Sequence, residues 1–222
     1  MSVLVFDLDG TLVSSMDDLV PTLNTILVEE GYKAMAPERV SSMIGHGAKV
    51  LLQRGLDAND VSWTEETIEP LFQRFLDHYE AHIADQTRPF PGVIDALESF
   101  RAEGWRLAVC TNKIERLTFP LLDALDMTKH FDAIIGGDTF EHPKPHAAPV
   151  LGAISGAGGV VTGSVMVGDS VTDIDAARAA GIPVVAVDFG YTPVPVKELG
   201  PDKVISHFDD LGSALQKLPR TA

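Results

Sequence analysis

Val3-Leu-Val-Phe-Asp-Leu-Asp-Gly-Thr11 is the stretch from which the rest of the chain can be read. Its first four residues are an unbroken apolar run with no polar alternation, the pattern of a strand buried on both faces of a parallel sheet. Asp7 and Asp9 follow two residues apart, which puts them on one side of an extended backbone. Open α/β sheets bind ligands at the carboxyl ends of their strands, and that is where this pair would emerge. Two neighbouring carboxylates resist joint ionisation unless a cation neutralises them or one keeps its proton, a separation that suits nucleophilic and acid/base chemistry. Asp-x-Asp by itself is equally an ordinary turn closed by Gly10. Its place behind a buried strand favours the chemical reading.

Working outward, short apolar runs recur at residues 107–110, 165–167 and 184–187, each bounded by Gly, Asp or Asn. Helical patterns lie between them at 93–103, 115–125, 148–154 and 171–180. Strand and helix in alternation predict an α/β fold, a doubly wound parallel sheet of Rossmann-like type. An amphipathic helix is expected over 208–218.

From Thr11 to Arg88 the rhythm changes. No β-branched run occurs, while Leu19, Leu23, Ile26 and Leu27 repeat at helical spacing. A later stripe carries Leu71, Phe72, Phe75, Leu76, Tyr79 and Ile83. Core packing explains that stripe without a cofactor. The chain returns through Arg88-Pro-Phe-Pro-Gly92, where two prolines stiffen the connection. The expected organisation is an α/β core of residues 1–13 and 89–222 with an inserted all-helical domain at 14–88.

The formal net charge is −15, from 17 Lys plus Arg against 32 Asp plus Glu. That sign disfavours tracking a nucleic-acid backbone or an anionic membrane. A small phosphorylated ligand would need a local positive field from a cation and a few lysines. Cys110 is the only cysteine, which excludes an internal disulfide and a Cys-rich zinc site. The opening run has no basic segment and is cut by Asp7, so neither a secretion signal nor a membrane span is expected, and the cytoplasm is the expected location.

Three further strand ends carry polar groups. Val165-Met-Val-Gly-Asp-Ser-Val-Thr-Asp173 repeats the strand-then-carboxylate pattern, with Asp169 at the strand end and Asp173 at the start of a helix. Ser170 with Asp173 is also a plain capping box. Oxygen-rich, cysteine-free clusters of this kind suit a hard cation such as Mg2+. Thr111 and Asn112 follow the strand at 107–110 and offer a hydroxyl, an amide and backbone N–H groups to phosphate oxygens. Asn112 with Glu115 reads equally as a helix cap. Lys144 sits in His142-Pro-Lys-Pro145, a loop stiff enough to fix its ammonium.

In order and spacing, Asp7 to Thr11, Thr111, Lys144 and residues 168–173 resemble the four motifs of the haloacid dehalogenase superfamily of phosphatases, over essentially the whole chain. The helical insert resembles the cap of the subgroup that contains phosphoglycolate phosphatases and β-phosphoglucomutases. Within it, Ile44-Gly-His-Gly-Ala-Lys49, Thr111-Asn-Lys113 and Asp188-Phe-Gly-Tyr191 are most similar to phosphoglycolate phosphatases. Ser14, His46 and Ala147 depart from the family pattern.

The resemblance implies a Mg2+-dependent phosphomonoesterase acting through an aspartyl phosphate, with 2-phosphoglycolate as the expected substrate, hydrolysed to glycolate and phosphate. Asp7 would be the nucleophile and Asp9 the general acid and base. Thr111, Asn112 and Lys144 would grip the phosphoryl group. Asp7, Asp169 and the Asp9 carbonyl would hold the metal, with Asp173 beside them or orienting Lys144. Gly45, His46 and Lys49 would receive the rest of the substrate at a helix start. Other members of the family act on sugar phosphates or nucleotides or are mutases, and phospho-accepting signalling domains also use a strand-end Asp. A monomer or homodimer is expected, with no nucleic-acid or membrane partner.

Overall fold

The computed structural model describes residues 1–218; the last four residues of the expected core segment lie outside these. The chain opens with β1 (Val3–Phe6) and β2 (Val13–Ser14), then runs through α1 (Met16–Glu29), α2 (Pro37–Ser41), α3 (Ala48–Asp57) and α4 (Glu65–Ala81). It continues with β3 (Arg88–Pro89), α5 (Val93–Ala102), β4 (Arg106–Cys110), α6 (Glu115–Ala124), β5 (Ala133–Ile135), α7 (Ala147–Gly156) and β6 (Val165–Gly168). The last elements are α8 (Val171–Ala180), β7 (Val184–Val187), β8 (Lys203–Ile205) and α9 (Leu211–Gln216).

Six parallel strands form one sheet in the order β5-β4-β1-β6-β7-β8. The chain builds outward from β1 to β5, crosses back to β6 and builds outward again to β8. The carboxyl ends of β4, β1 and β6 therefore meet at the point where the winding reverses. β1 is buried throughout, and its alternation sorts two layers of core. Leu4 and Phe6 face α5, α6 and α9 through Leu97, Leu121 and Leu211. Val3 and Val5 face α7 and α8 through Val150, Ile154 and Ile174.

The helices α1 to α4 enclose a third cluster around Leu23, Leu27, Leu52 and Phe75, which extends onto the sheet-bearing part through Leu117 of α6. Thr64 opens α4 with a capping box, its hydroxyl accepting from the Thr67 N–H and the Thr67 hydroxyl from the Thr64 N–H. The chain leaves and re-enters this helical segment through the antiparallel ribbon β2–β3, pairing Val13 with Pro89 and Ser14 with Arg88.

Four strands carry no sequence signal, and one expected helix is corrected. β5 and β8 are strands without a sequence signal, because three residues are too few for periodicity and β8 is a partly exposed edge. The ribbon is likewise too short to read. The closing helix of 208–218 is a 3-10 turn at Phe208–Asp210 followed by α9. No helix among the described residues is long and apolar enough to cross a membrane.

Candidate active site

β1 delivers Asp7 to the centre of the sheet edge, where its N–H donates to the Val167 carbonyl of β6 at 2.9 Å. Lys144 reaches in from its loop, placing Nζ 2.7 Å from Asp7 Oδ1 and 2.6 Å from Asp173 Oδ1. The other Asp173 oxygen accepts from the Ser170 hydroxyl at 2.7 Å and from the N–H groups of Asp169 and Ser170. Asp173 packs so closely on the end of β6 that a Cβ at Gly168 would lie 2.3 Å from its own Cβ, so only glycine fits there. Gly10 has φ +87°, and a side chain on it would meet Asp169 Oδ2 at 2.6 Å. Asp169 is fixed by the Tyr191 N–H at 2.7 Å and the Thr11 hydroxyl at 3.3 Å.

Asp7, Asp169 and Asp173 can each offer an oxygen within 4.8 Å of the others, and all three are buried. One ammonium offsets three carboxylates. Burial, reinforced by Asp173 and Asp9 against the opposing pull of Lys144, lifts the Asp7 carboxyl to about 7. Asp169 is likewise pushed well above the usual carboxylate range by burial, then by Asp173 and Asp7. Excess negative charge on an oxygen-only donor set fits a hard divalent cation. Asp173 is already satisfied by Lys144 and by its own helix start, whereas Asp7, bonded through Oδ1 to Lys144, and Asp169, holding one donor on each oxygen, keep lone pairs to offer a cation.

The Asp9 carboxylate points elsewhere. Its Oδ2 lies 3.1 Å from Nζ of Lys113, and its Oδ1 is buried with no hydrogen-bond partner. Only the backbone carbonyl of Asp9 remains for the metal expectation. Lys113 Nζ also donates to the Tyr79 hydroxyl of α4 at 3.0 Å and lies 4.4 Å from the centre of that ring. Both side chains are buried. A narrow cavity of about 30 Å³ connects Asp7, Asp9, Thr111 and Lys113, with Leu19 and Leu51 among its apolar walls. A wider one of about 320 Å³ lies on the other side of Asp9, between Asp169, Tyr191, His46 and Arg54.

Thr111 faces the narrow cavity. Its hydroxyl accepts from the Lys113 N–H at 3.1 Å, which leaves the hydroxyl hydrogen available, while its own N–H is taken by the Ile135 carbonyl. The side chain of Asn112 takes neither of its two expected roles. Its amide bonds the carbonyls of Gly45 and Lys144 and accepts from the Lys144 N–H, so it ties the helical segment to the lysine loop. It does not cap α6, whose Glu115 N–H instead donates to Asp138. Gly45 lines both cavities and His46 the wider one. Lys49 is not brought to the site: its ammonium pairs with Glu65 at 2.6 Å and Glu69 at 3.2 Å on the exposed side of α4.

The model of the family described as haloacid dehalogenase-like hydrolase matches residues 4–187. The chain is a haloacid dehalogenase-like hydrolase. Among curated relatives of this hydrolase, the phosphoglycolate phosphatase of Agrobacterium fabrum is 46% identical, over 95% of this chain and 91% of its own length. That of Caulobacter vibrioides is 45% identical over 95% and 89%. A crystal structure described as a predicted phosphoglycolate phosphatase from Haemophilus somnus superposes with a TM-score of 0.90 at 32% identity, covering 96% of this chain and 97% of that one.

Several residues that carry no role of their own in the sequence motifs are brought to the site of this hydrolase. Lys113 was legible as part of Thr111-Asn-Lys113 but carried no role, and Tyr79 looked like plain core. Tyr191 does double duty: its N–H fixes Asp169, and its hydroxyl accepts from the N–H groups of Ser15 at 2.8 Å and Met16 at 3.1 Å, where α1 begins. Thr11, buried against Asp169, could have been suspected from its place directly after Gly10.

Proposed function

We propose that this hydrolase is a Mg2+-dependent phosphatase that cleaves 2-phosphoglycolate to glycolate and phosphate through an aspartyl phosphate on Asp7. The observation that carries the reading is the unpartnered, buried Oδ1 of Asp9, two residues from the proposed nucleophile and beside a small cavity. A carboxyl so placed can serve a leaving group. The names of the Agrobacterium and Caulobacter relatives support the substrate.

An Asp7 carboxylate oxygen attacks phosphorus as the ester P–O bond breaks, and the departing oxygen takes the proton of Asp9. Asp9 then draws a proton from a water that attacks the phosphoenzyme, releasing phosphate and restoring the Asp7 carboxylate. Lys144 holds Asp7 oriented, and the Thr111 hydroxyl donates to a phosphoryl oxygen. Asp7, Asp169 and the Asp9 carbonyl would hold the Mg2+, which supplies the charge that lets an anionic phosphate approach an anionic nucleophile. We assign the core to residues 1–13 and 89–222 and a cap to 14–88, on the apolar cluster that the four helices enclose and that meets the core through Leu117. The cytoplasm is the compartment we assign, in keeping with a chain whose one cysteine, Cys110, is unpaired.

Phosphate release from 2-phosphoglycolate, sugar phosphates and nucleotides, with and without EDTA, tests this. Fastest release from 2-phosphoglycolate, abolished by EDTA and in Asp7→Asn, is the expected result. Faster release from a sugar phosphate would overturn the substrate. A persistent phosphoenzyme without release would point to a phospho-accepting domain.

A further inference from the structure

Lys113 is a buried cation that the steps above do not use. Resting on the substrate reading just given, we infer that Lys113 receives the carboxylate of the substrate and so selects a short phosphorylated acid, with Tyr79 of α4 holding its ammonium in place.

The size of the ligand fixes where its carboxylate can lie. In 2-phosphoglycolate one methylene separates the ester oxygen from the carboxylate carbon, so the carboxylate oxygens lie within about 4 Å of the ester oxygen. Asp9 must touch that ester oxygen to protonate it. The cation that receives the carboxylate must therefore stand next to Asp9, and Lys113 Nζ is 3.1 Å from Asp9 Oδ2. Of the other cations, Lys144 bridges Asp7 and Asp173, Lys49 faces Glu65 and Glu69, and Arg54, which donates to the Met43 carbonyl at 3.1 Å, lines the wider cavity and not the narrow one that holds Lys113.

An ammonium has three donors. Lys113 directs one to Asp9 and one to the Tyr79 hydroxyl, which leaves a third for a ligand. The narrow cavity that Lys113 shares with Asp7 and Asp9 is walled by Leu19, Leu51 and Leu117. Apolar walls keep water from screening a charge pair. This cavity is the tighter of the two beside Asp9, about 30 Å³ against about 320 Å³ on the other side. A buried cation between apolar walls thus favours a short acidic leaving group.

The test compares 2-phosphoglycolate with ethyl phosphate, which has a methyl in place of the carboxylate, on wild type, Lys113→Met and Lys113→Arg. In Lys113→Met, kcat/KM should fall about a hundredfold further for 2-phosphoglycolate than for ethyl phosphate, the effect of losing one charge-assisted hydrogen bond at a buried site. Lys113→Arg should keep most of the preference. Equal falls on both substrates, in an enzyme whose wild type prefers 2-phosphoglycolate, would overturn the role of Lys113 alone and leave it a support for Asp9. A wild type indifferent to the two substrates would take down the substrate reading and this inference with it. Should Lys113→Met fail to fold, Tyr79→Phe serves: KM should rise severalfold more for 2-phosphoglycolate than for ethyl phosphate, and an equal rise would overturn the proposal.

Discussion

Lys144 holds two carboxylates with one ammonium at the buried centre of the site. Removing it costs both orientation of Asp7 and charge balance. Lys144→Ala should lower kcat for 2-phosphoglycolate by about a thousandfold, as loss of a fixed charge near the reacting group does. Phosphate-release kinetics give the measurement, and near-normal turnover would remove Lys144 from the chemistry. Lys144, Asp7 and Asp169 were readable in sequence because each sits at or near a strand end or in a proline-stiffened loop, where chain direction alone fixes the address. Lys113 was not, because its meaning depends on Tyr79, 34 residues away on another element. Lys49 misled for the matching reason. Its partners Glu65 and Glu69 lie 16 and 20 residues on, and nothing local tells which side of α3 will face them.

Among the elements, the start of α1 depends on a residue that looks routine in sequence. Asp18 would pass as an acidic first-turn residue favoured by the helix dipole. In the structure it is buried and accepts from the Gln86 N–H at 3.0 Å, the Thr87 N–H at 2.7 Å and the Thr87 hydroxyl at 2.6 Å. It fastens α1 to the returning chain just before β3. Asp18→Ala strands those donors, so urea unfolding should show a loss of about 2 to 3 kcal/mol; a loss below about 0.5 kcal/mol would show that water replaces the carboxylate. The long helices and the four central strands were legible because burial repeats along them. The edge strands and the ribbon were not, since their hydrogen bonds are set by neighbours from distant sequence.

At the scale of the whole molecule, the carboxylate cluster joins β1, β6 and α8, so binding there stabilises the entire sheet. Asp7 has its carboxyl raised from 3.8 to about 7, and Asp169 shifts the same way. In metal-free protein the stability linked to Asp7 is full below about pH 4 and is lost as pH rises towards 7. His46, His78 and His130 are shifted down, chiefly by burial, and contribute the opposite trend. The informative quantity is therefore the rise in Tm on adding Mg2+, which should be larger at pH 8 than at pH 5 because the ion competes with protons for the same oxygens. An equal rise at both pH values would argue against binding at these carboxylates. The ribbon β2–β3 brings the two ends of the helical segment side by side, with Val13 opposite Pro89. Heritable change in that segment can thus proceed without breaking a hydrogen bond of the main sheet, so one lineage of cores can acquire new clienteles by exchanging a module while its reaction stays as it was.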